Sequence, residues 1–118
     1  MLIGTWHEVQ RSATDTAAMQ KTFYKDGTAK GFLTGRVSSG GMSIIIPRQY
    51  FTSNWKLNGR NIVIYNMRQE NGELLFEKDE VHYDAILAIS DREMRYYDGQ
   101  SKTTSTVKRG PLRDPTLP

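Results

Sequence analysis

His7 and His82 are the two histidines of the chain, and neither stands in a short cluster of His, Asp and Glu with the spacing of a metal site. His82-Tyr83-Asp84 spreads its groups over alternating faces of a strand, so surface imidazoles are expected and no metal centre. The chain has no cysteine, which excludes a thiolate nucleophile, a zinc–thiolate site and a disulfide framework. A serine triad would need a strained elbow, and no Gly-x-Ser-x-Gly occurs. The carboxylate pairs Asp79/Glu80 and Asp91/Glu93 lie in charged stretches better explained as solvated faces than as an acid–base dyad. No catalytic residue and no cofactor are assigned, and enzyme activity is not expected.

Two binding chemistries fare little better. Ser38-Ser39-Gly40-Gly41 could turn backbone N–H groups toward an anion, but it lacks the lysine and following helix of a phosphate loop and reads as a hairpin. Arg48-Gln49-Tyr50-Phe51 and the stretch Arg92 to Tyr97 interleave cations with rings, as single-stranded nucleic-acid sites do. Alternation of core and surface gives the same pattern. With a net charge of only +3 and both signs interspersed, no nucleic-acid partner is expected.

The elements that must position any remaining chemistry are strands. The 118 residues suit one domain with a real core. Helical periodicity is scarce, whereas runs rich in Val, Ile, Thr, Tyr, Phe and Trp are punctuated by Asp26-Gly27, Gly40-Gly41, Asn58-Gly59, Asn71-Gly72 and Asp98-Gly99, the turn chemistry of hairpins. Strands are expected at Gly4 to Arg11, Lys21 to Lys25, Thr28 to Ser38, Met42 to Ile46, Gln49 to Leu57, Asn61 to Glu70, Glu73 to Ile89, Glu93 to Tyr97 and Lys102 to Arg109. The two around Pro47 read as one bent edge strand. The fold class is therefore all-β: a small antiparallel up-and-down barrel of about eight strands. Ser12 to Gln20 breaks the alternation and predicts a short helical or irregular segment capped by Asp15, lying over one barrel mouth. Residues 1–110 form the barrel in this reading, and 111–118, with three prolines, form a loose tail.

Closing a barrel brings the first and last strands together, so Trp6 and Arg109 are expected to meet, guanidinium over indole, in a floor shared with Trp55, Leu57 and Ile62. Alternation from Trp6 turns Glu8 and Gln10 inward. The same logic, anchored on apolar positions, turns Phe23, Leu33, Asn66, Tyr83, Ala85, Leu87, Met94 and Tyr96 inward. The candidate ligand-binding set is thus Glu8, Gln10, Phe23, Leu33, Asn66, Tyr83, Met94 and Tyr96. An apolar ligand body would pack on Phe23, Leu33, Tyr83, Met94 and Tyr96, while Glu8, Gln10 and Asn66 hold its polar end. A buried Glu8 would favour a cationic or hydrogen-bond-donating ligand. Alternatively, these polar groups satisfy one another and ordered water inside a filled barrel.

Gly4-Thr5-Trp6, Phe23-Tyr24-Lys25-Asp26-Gly27-Thr28, Trp55-Lys56-Leu57-Asn58-Gly59 leading into Ile62-Val63-Ile64, and the late Arg109 together resemble the small bacterial lipocalin-like domains of the calycin superfamily. The likeness spans nearly the whole chain. It implies an antiparallel barrel that binds a small hydrophobic or amphipathic molecule in its lumen. Avidins also open on Gly-x-Trp, but biotin binding there needs several tryptophans and this chain has only Trp6 and Trp55.

The run Met42, Ile44, Ile45, Ile46 before Pro47 cannot turn every side chain into one core. Cover by the Ser12 to Gln20 segment, a lip at the ligand mouth, and a homodimer contact through this edge are the alternatives. The last supports a second class of function, a protein-interaction module such as an inhibitor or assembly factor. No apolar run approaches the roughly 18 residues of a membrane span. If a leader has been removed ahead of Met1 the chain is expected outside the cytoplasm, in the periplasm, and otherwise in the cytoplasm.

Overall fold

The computed structural model describes residues 2–75 and 80–118. Eight strands pair antiparallel in chain order and close into a barrel: β1 Gly4–Arg11, β2 Asp15–Phe23, β3 Thr28–Ser39, β4 Met42–Asn58, β5 Asn61–Gln69, β6 Val81–Ile89, β7 Glu93–Asp98 and β8 Thr103–Arg109. Closure rests on few residues. Trp6 pairs with Arg109 and His7 with Lys108, and the Gly110 N–H donates to the Thr5 carbonyl at 2.8 Å to complete the seam.

The segment expected to be helical is strand, and no helix occurs among the described residues. Ser12 donates its N–H to the Asp15 carbonyl at 2.8 Å and its Oγ accepts the Asp15 N–H at 3.0 Å, so it closes a hairpin where a helix cap by Asp15 was expected. Ala17 and Ala18 then pair with Gln10 and Val9 on one side and with Gly35 and Thr34 on the other. The helix preference of an Ala-Ala-Met stretch amounts to a few tenths of a kcal/mol per residue. Backbone pairing along both edges outweighs it.

Two features bend the sheet. A side chain at Gly31 would put its Cβ 2.3 Å from the Gln20 carbonyl and 2.7 Å from the Phe51 ring, and one at Gly35 would sit 2.5 Å from the Thr16 carbonyl. β3 can hug β2, and Phe51 can fold across it, only because these positions are bare. Bulges supply the rest of the curvature. Pro47 and Arg48 together oppose Thr34 where the β3–β4 register shifts, and the Thr34 hydroxyl donates to the Ile46 carbonyl at 2.8 Å. Proline thus falls where no ladder donor is required, inside one continuous, bent β4. Asn66, in the left-handed region at φ 56°, and Met67 together oppose Ser53.

The core is the closed end. Leu2, Trp6, Phe23, Ala29, Ile62, Ile64, Met94 and Val107 form one buried cluster, and Trp6 retains 1% of its exposure. Residues 111–118, expected to be loose, run across the outer face of β1 to β4. The Leu112 N–H donates to Gln20 Oε1 at 2.8 Å, Asp114 pairs with Arg11, and the Thr116 and Pro118 carbonyls accept from Arg36 and Arg48. Beneath them Ala18, Phe32 and Thr34 point away from the lumen yet are buried.

Candidate functional site

Arg109 lies with its guanidinium carbon 3.9 Å from the centre of the Trp6 ring and donates to the carbonyls of Ile3 at 2.9 Å and Asp91 at 3.1 Å. The indole Nε1 donates to the Leu2 carbonyl at 2.8 Å. This is the expected floor. Trp55 stands at its rim, edge-on to Phe23 with ring centres 5.5 Å apart, its Nε1 shared between the Thr28 and Tyr24 carbonyls. Leu57, expected in the floor, is half-exposed near the tip of the β4–β5 hairpin instead.

Above the floor lies a cavity of about 250 Å³. Its lower wall is apolar: Trp6, Phe23, Ile62, Ile64, Met94 and Val107. Its upper wall carries Lys21, His82, Asp84, Tyr96, Asp98 and Gln100, and Leu33 and Leu75 stand where it meets solvent. The cross-strand pairs explain the grouping. Lys21 is the partner of Trp6, Asp84 is the partner of Ile62, and Asp84 also faces Asp98 across β6 and β7. Paired residues share a face, so one inward apolar residue on each ladder carries a charged neighbour inside with it.

Lys21 is the unusual member. Only 8% of it is exposed, its ammonium lies 5.1 Å from the Phe23 ring centre and 6.0 Å from that of Phe51, and among the described residues it has neither an ion-pair partner nor a hydrogen-bond acceptor in reach. Burial lowers it from 10.5 to about 8, opposed through space by the Asp84 and Asp98 carboxylates. Asp84 moves the other way. Burial raises it to about 6, Lys21 draws it back, and the Asp98 charge adds to the rise. The Tyr96 phenol is raised by burial first and then by the charges of Glu8, Asp84 and Asp98. These are the signatures of ionisable groups held in a poorly hydrated space.

Of the residues singled out from the sequence, Phe23, Leu33, Met94 and Tyr96 line this cavity. Glu8 and Gln10 do not. They border a separate depression of about 180 Å³ with Ala17, Ala18, Met19 and Leu33, and the Gln10 amide donates to Glu8 at 2.9 Å. Met19 and Leu33 border both spaces, so Glu8 and Gln10 belong to the mouth. Asn66 and Tyr83 are corrections. The bulge shifts the phase of β5 by one residue, so that Met67 takes the inward place expected of Asn66; the Asn66 amide donates to Asn54 at 3.0 Å. Tyr83 is 52% exposed and pairs with Val63 on the outer face. The inward residues of β6 are His82, Asp84 and Ile86, not Tyr83, Ala85 and Leu87, because a polar lumen inverts the rule that put the apolar positions inside. His82, expected at the surface, borders the cavity, with Nε2 3.5 Å from Glu80.

Lys21, Asp84 and Asp98 were missed as site residues. Asp98 was within reach, being two residues beyond Tyr96 on the same strand face. Lys21 needed the β1–β2 register that the helical reading of Ser12 to Gln20 concealed. The described residues hold no group of three or more His, Asp or Glu side chains placed to hold a metal, and Asp79 lies outside the described residues.

The fold and cavity together define the class: an eight-stranded, antiparallel, closed barrel consistent with a lipocalin-like fold. No protein-family model matches the chain, and no curated protein matches it in sequence.

Proposed function

We propose that this barrel, a lipocalin-like domain of the calycin type, binds a small amphipathic molecule noncovalently in its lumen and performs no catalysis on it. The observation that carries the reading is the two-toned cavity of about 250 Å³. That volume falls just below the roughly 300 to 1,000 Å³ of drug-sized sites, so the ligand is small. Its apolar body would rest on Phe23, Ile64 and Met94 and its polar end would rise toward Lys21, Tyr96, Asp84 and Asp98. Asp84 and Asp98 outnumber Lys21 there, which favours a ligand that is cationic or donates hydrogen bonds at that end.

Two tyrosines on opposite faces supply the test. Tyr96→Ala should weaken capture of an apolar fluorescent dye several-fold, while Tyr83→Ala should leave it unchanged at the same dye concentration. Equal loss in both variants would remove the lumen as the binding place.

One observation favours a second reading, a protein-interaction module. Met42, Ile44, Ile45 and Ile46 are exposed, Met42 to 71%. The ladder between β4 and β5 begins only at Phe51, so the preceding stretch of β4 has no β5 partner along that edge. Concentration-dependent dimerisation abolished by Ile45→Lys would support this reading through the edge strand.

A further inference from the structure

Building on the proposed lumen site, we infer that the barrel captures small aldehydes as a reversible imine on the Lys21 side-chain nitrogen, which the β1–β2 register turns into the cavity between Phe23 and Phe51. A buried lysine is costly, and proteins that keep one commonly use the unprotonated amine as a nucleophile toward carbonyl groups. Here nothing ties the nitrogen down, since among the described residues it has no ion-pair partner or hydrogen-bond acceptor in reach. The apolar wall below it supplies a berth for the aldehyde's hydrocarbon part.

The chemistry balances without any further reagent. The Nζ lone pair attacks the carbonyl carbon, the carbonyl π electrons move to oxygen, and a proton passes from nitrogen to that oxygen to give a carbinolamine. Loss of the hydroxyl with one more proton releases a water molecule and leaves the C=N bond. Burial brings the amine to about 8, so a sizeable share is unprotonated just below that pH, whereas an exposed lysine near 10.4 is almost wholly protonated. The charged and titratable groups that share the cavity with the nitrogen are Asp84 and His82 on β6 and Asp98 and Tyr96 on β7. With burial lifting it to about 6, Asp84 is partly protonated near neutrality and can deliver a proton to the departing oxygen. Its carboxylate and that of Asp98 then face the iminium as they face the ammonium.

The test treats the full chain with octanal and sodium cyanoborohydride at pH 7.5 and locates the reduced adduct by peptide mass spectrometry. The expected result is labelling at Lys21 at least ten-fold above each of the other six lysines of the chain, with a yield that rises through pH 8 and falls when excess 1-octanol competes. Lys21→Met and, should that variant fold poorly, the charge-preserving Lys21→Arg should lose this adduct while keeping the cooperative urea transition of the parent chain. Adducts spread evenly over the lysines, with dye capture by the parent chain intact, would overturn the imine and leave the lumen reading standing. A parent chain that captures neither dye nor aldehyde would overturn both.

Discussion

The two ends of one lumen are built on opposite principles. At the floor the polar groups around the indole are paired: the Trp6 Nε1 donates to Leu2, and Arg109, lying on the ring, donates to Ile3 and Asp91. Across the β1–β2 ladder from Trp6, Lys21 is buried without such a partner among the described residues, and the Asp84 and Asp98 carboxylates reach it only through space. The first arrangement stabilises closure of the barrel. The second costs stability, since an ionised group taken from water is repaid only by close, well-oriented partners.

The contrast can be broken at the floor first. Trp6→Ala should cost about 3 to 5 kcal/mol, enough to unfold much of a domain of this size, read as loss of the cooperative urea transition; a variant with a nearly unchanged midpoint would mean that the floor is not what closes the barrel. Arg109→Ala should cost less, about 2 kcal/mol, from the lost ring contact and two hydrogen bonds to carbonyls. Its melting temperature should drop while dye preference stays as it was. An unaltered melting curve would show the guanidinium to be an ornament of the seam.

The upper wall should show the smallest effect and the opposite sign. Asp84 has its folded pKa raised to about 6 from 3.8, so the folded state holds more protons between those values, and stability falls as pH rises through that window. Asp84→Asn removes the dependence. The variant should gain on the parent chain by about 1 kcal/mol between pH 4 and pH 6, allowing for partial solvent screening, and hold that gain above pH 6. Urea midpoints of the two proteins across this range measure it. For Lys21, lowered to about 8 from 10.5, the unfolded chain binds more protons between those values, so stability rises with pH there. A constant gap between parent and variant would return Asp84 to solvent.

Much of the barrel could be read from residue types. Asp26-Gly27, Gly40-Gly41 and Asn58-Gly59 mark hairpins because their backbone preferences are local, and the positive φ of Gly27, Gly40, Gly41 and Gly59 answers them. Trp6 and Arg109 could be joined across the whole chain because closure demands that its ends meet. Phe23, Met94 and Tyr96 could be placed inside by alternation. The same alternation misplaced Asn66, because a bulge advances the phase of β5 by one residue, and Tyr83, because Asp84 and His82 occupy the inward side of β6. The Ala17-Ala18-Met19 stretch misled for another reason: its local preference is helical, and strands on both sides override it.

Residue order thus carried the strand content, the turns and the meeting of the two chain ends, all of which follow from short-range sterics and from the need to leave no sheet edge unpaired. Which charges share the lumen was a matter of register. Lys21, Asp84 and Asp98 are far apart along the chain, and they come to face one cavity only through the cross-strand pairs Trp6 with Lys21, Ile62 with Asp84 and Asp84 with Asp98. A shift of one residue in any of those ladders would turn the charge outward to water. That is why the floor is visible in the sequence and the chemistry above it is not.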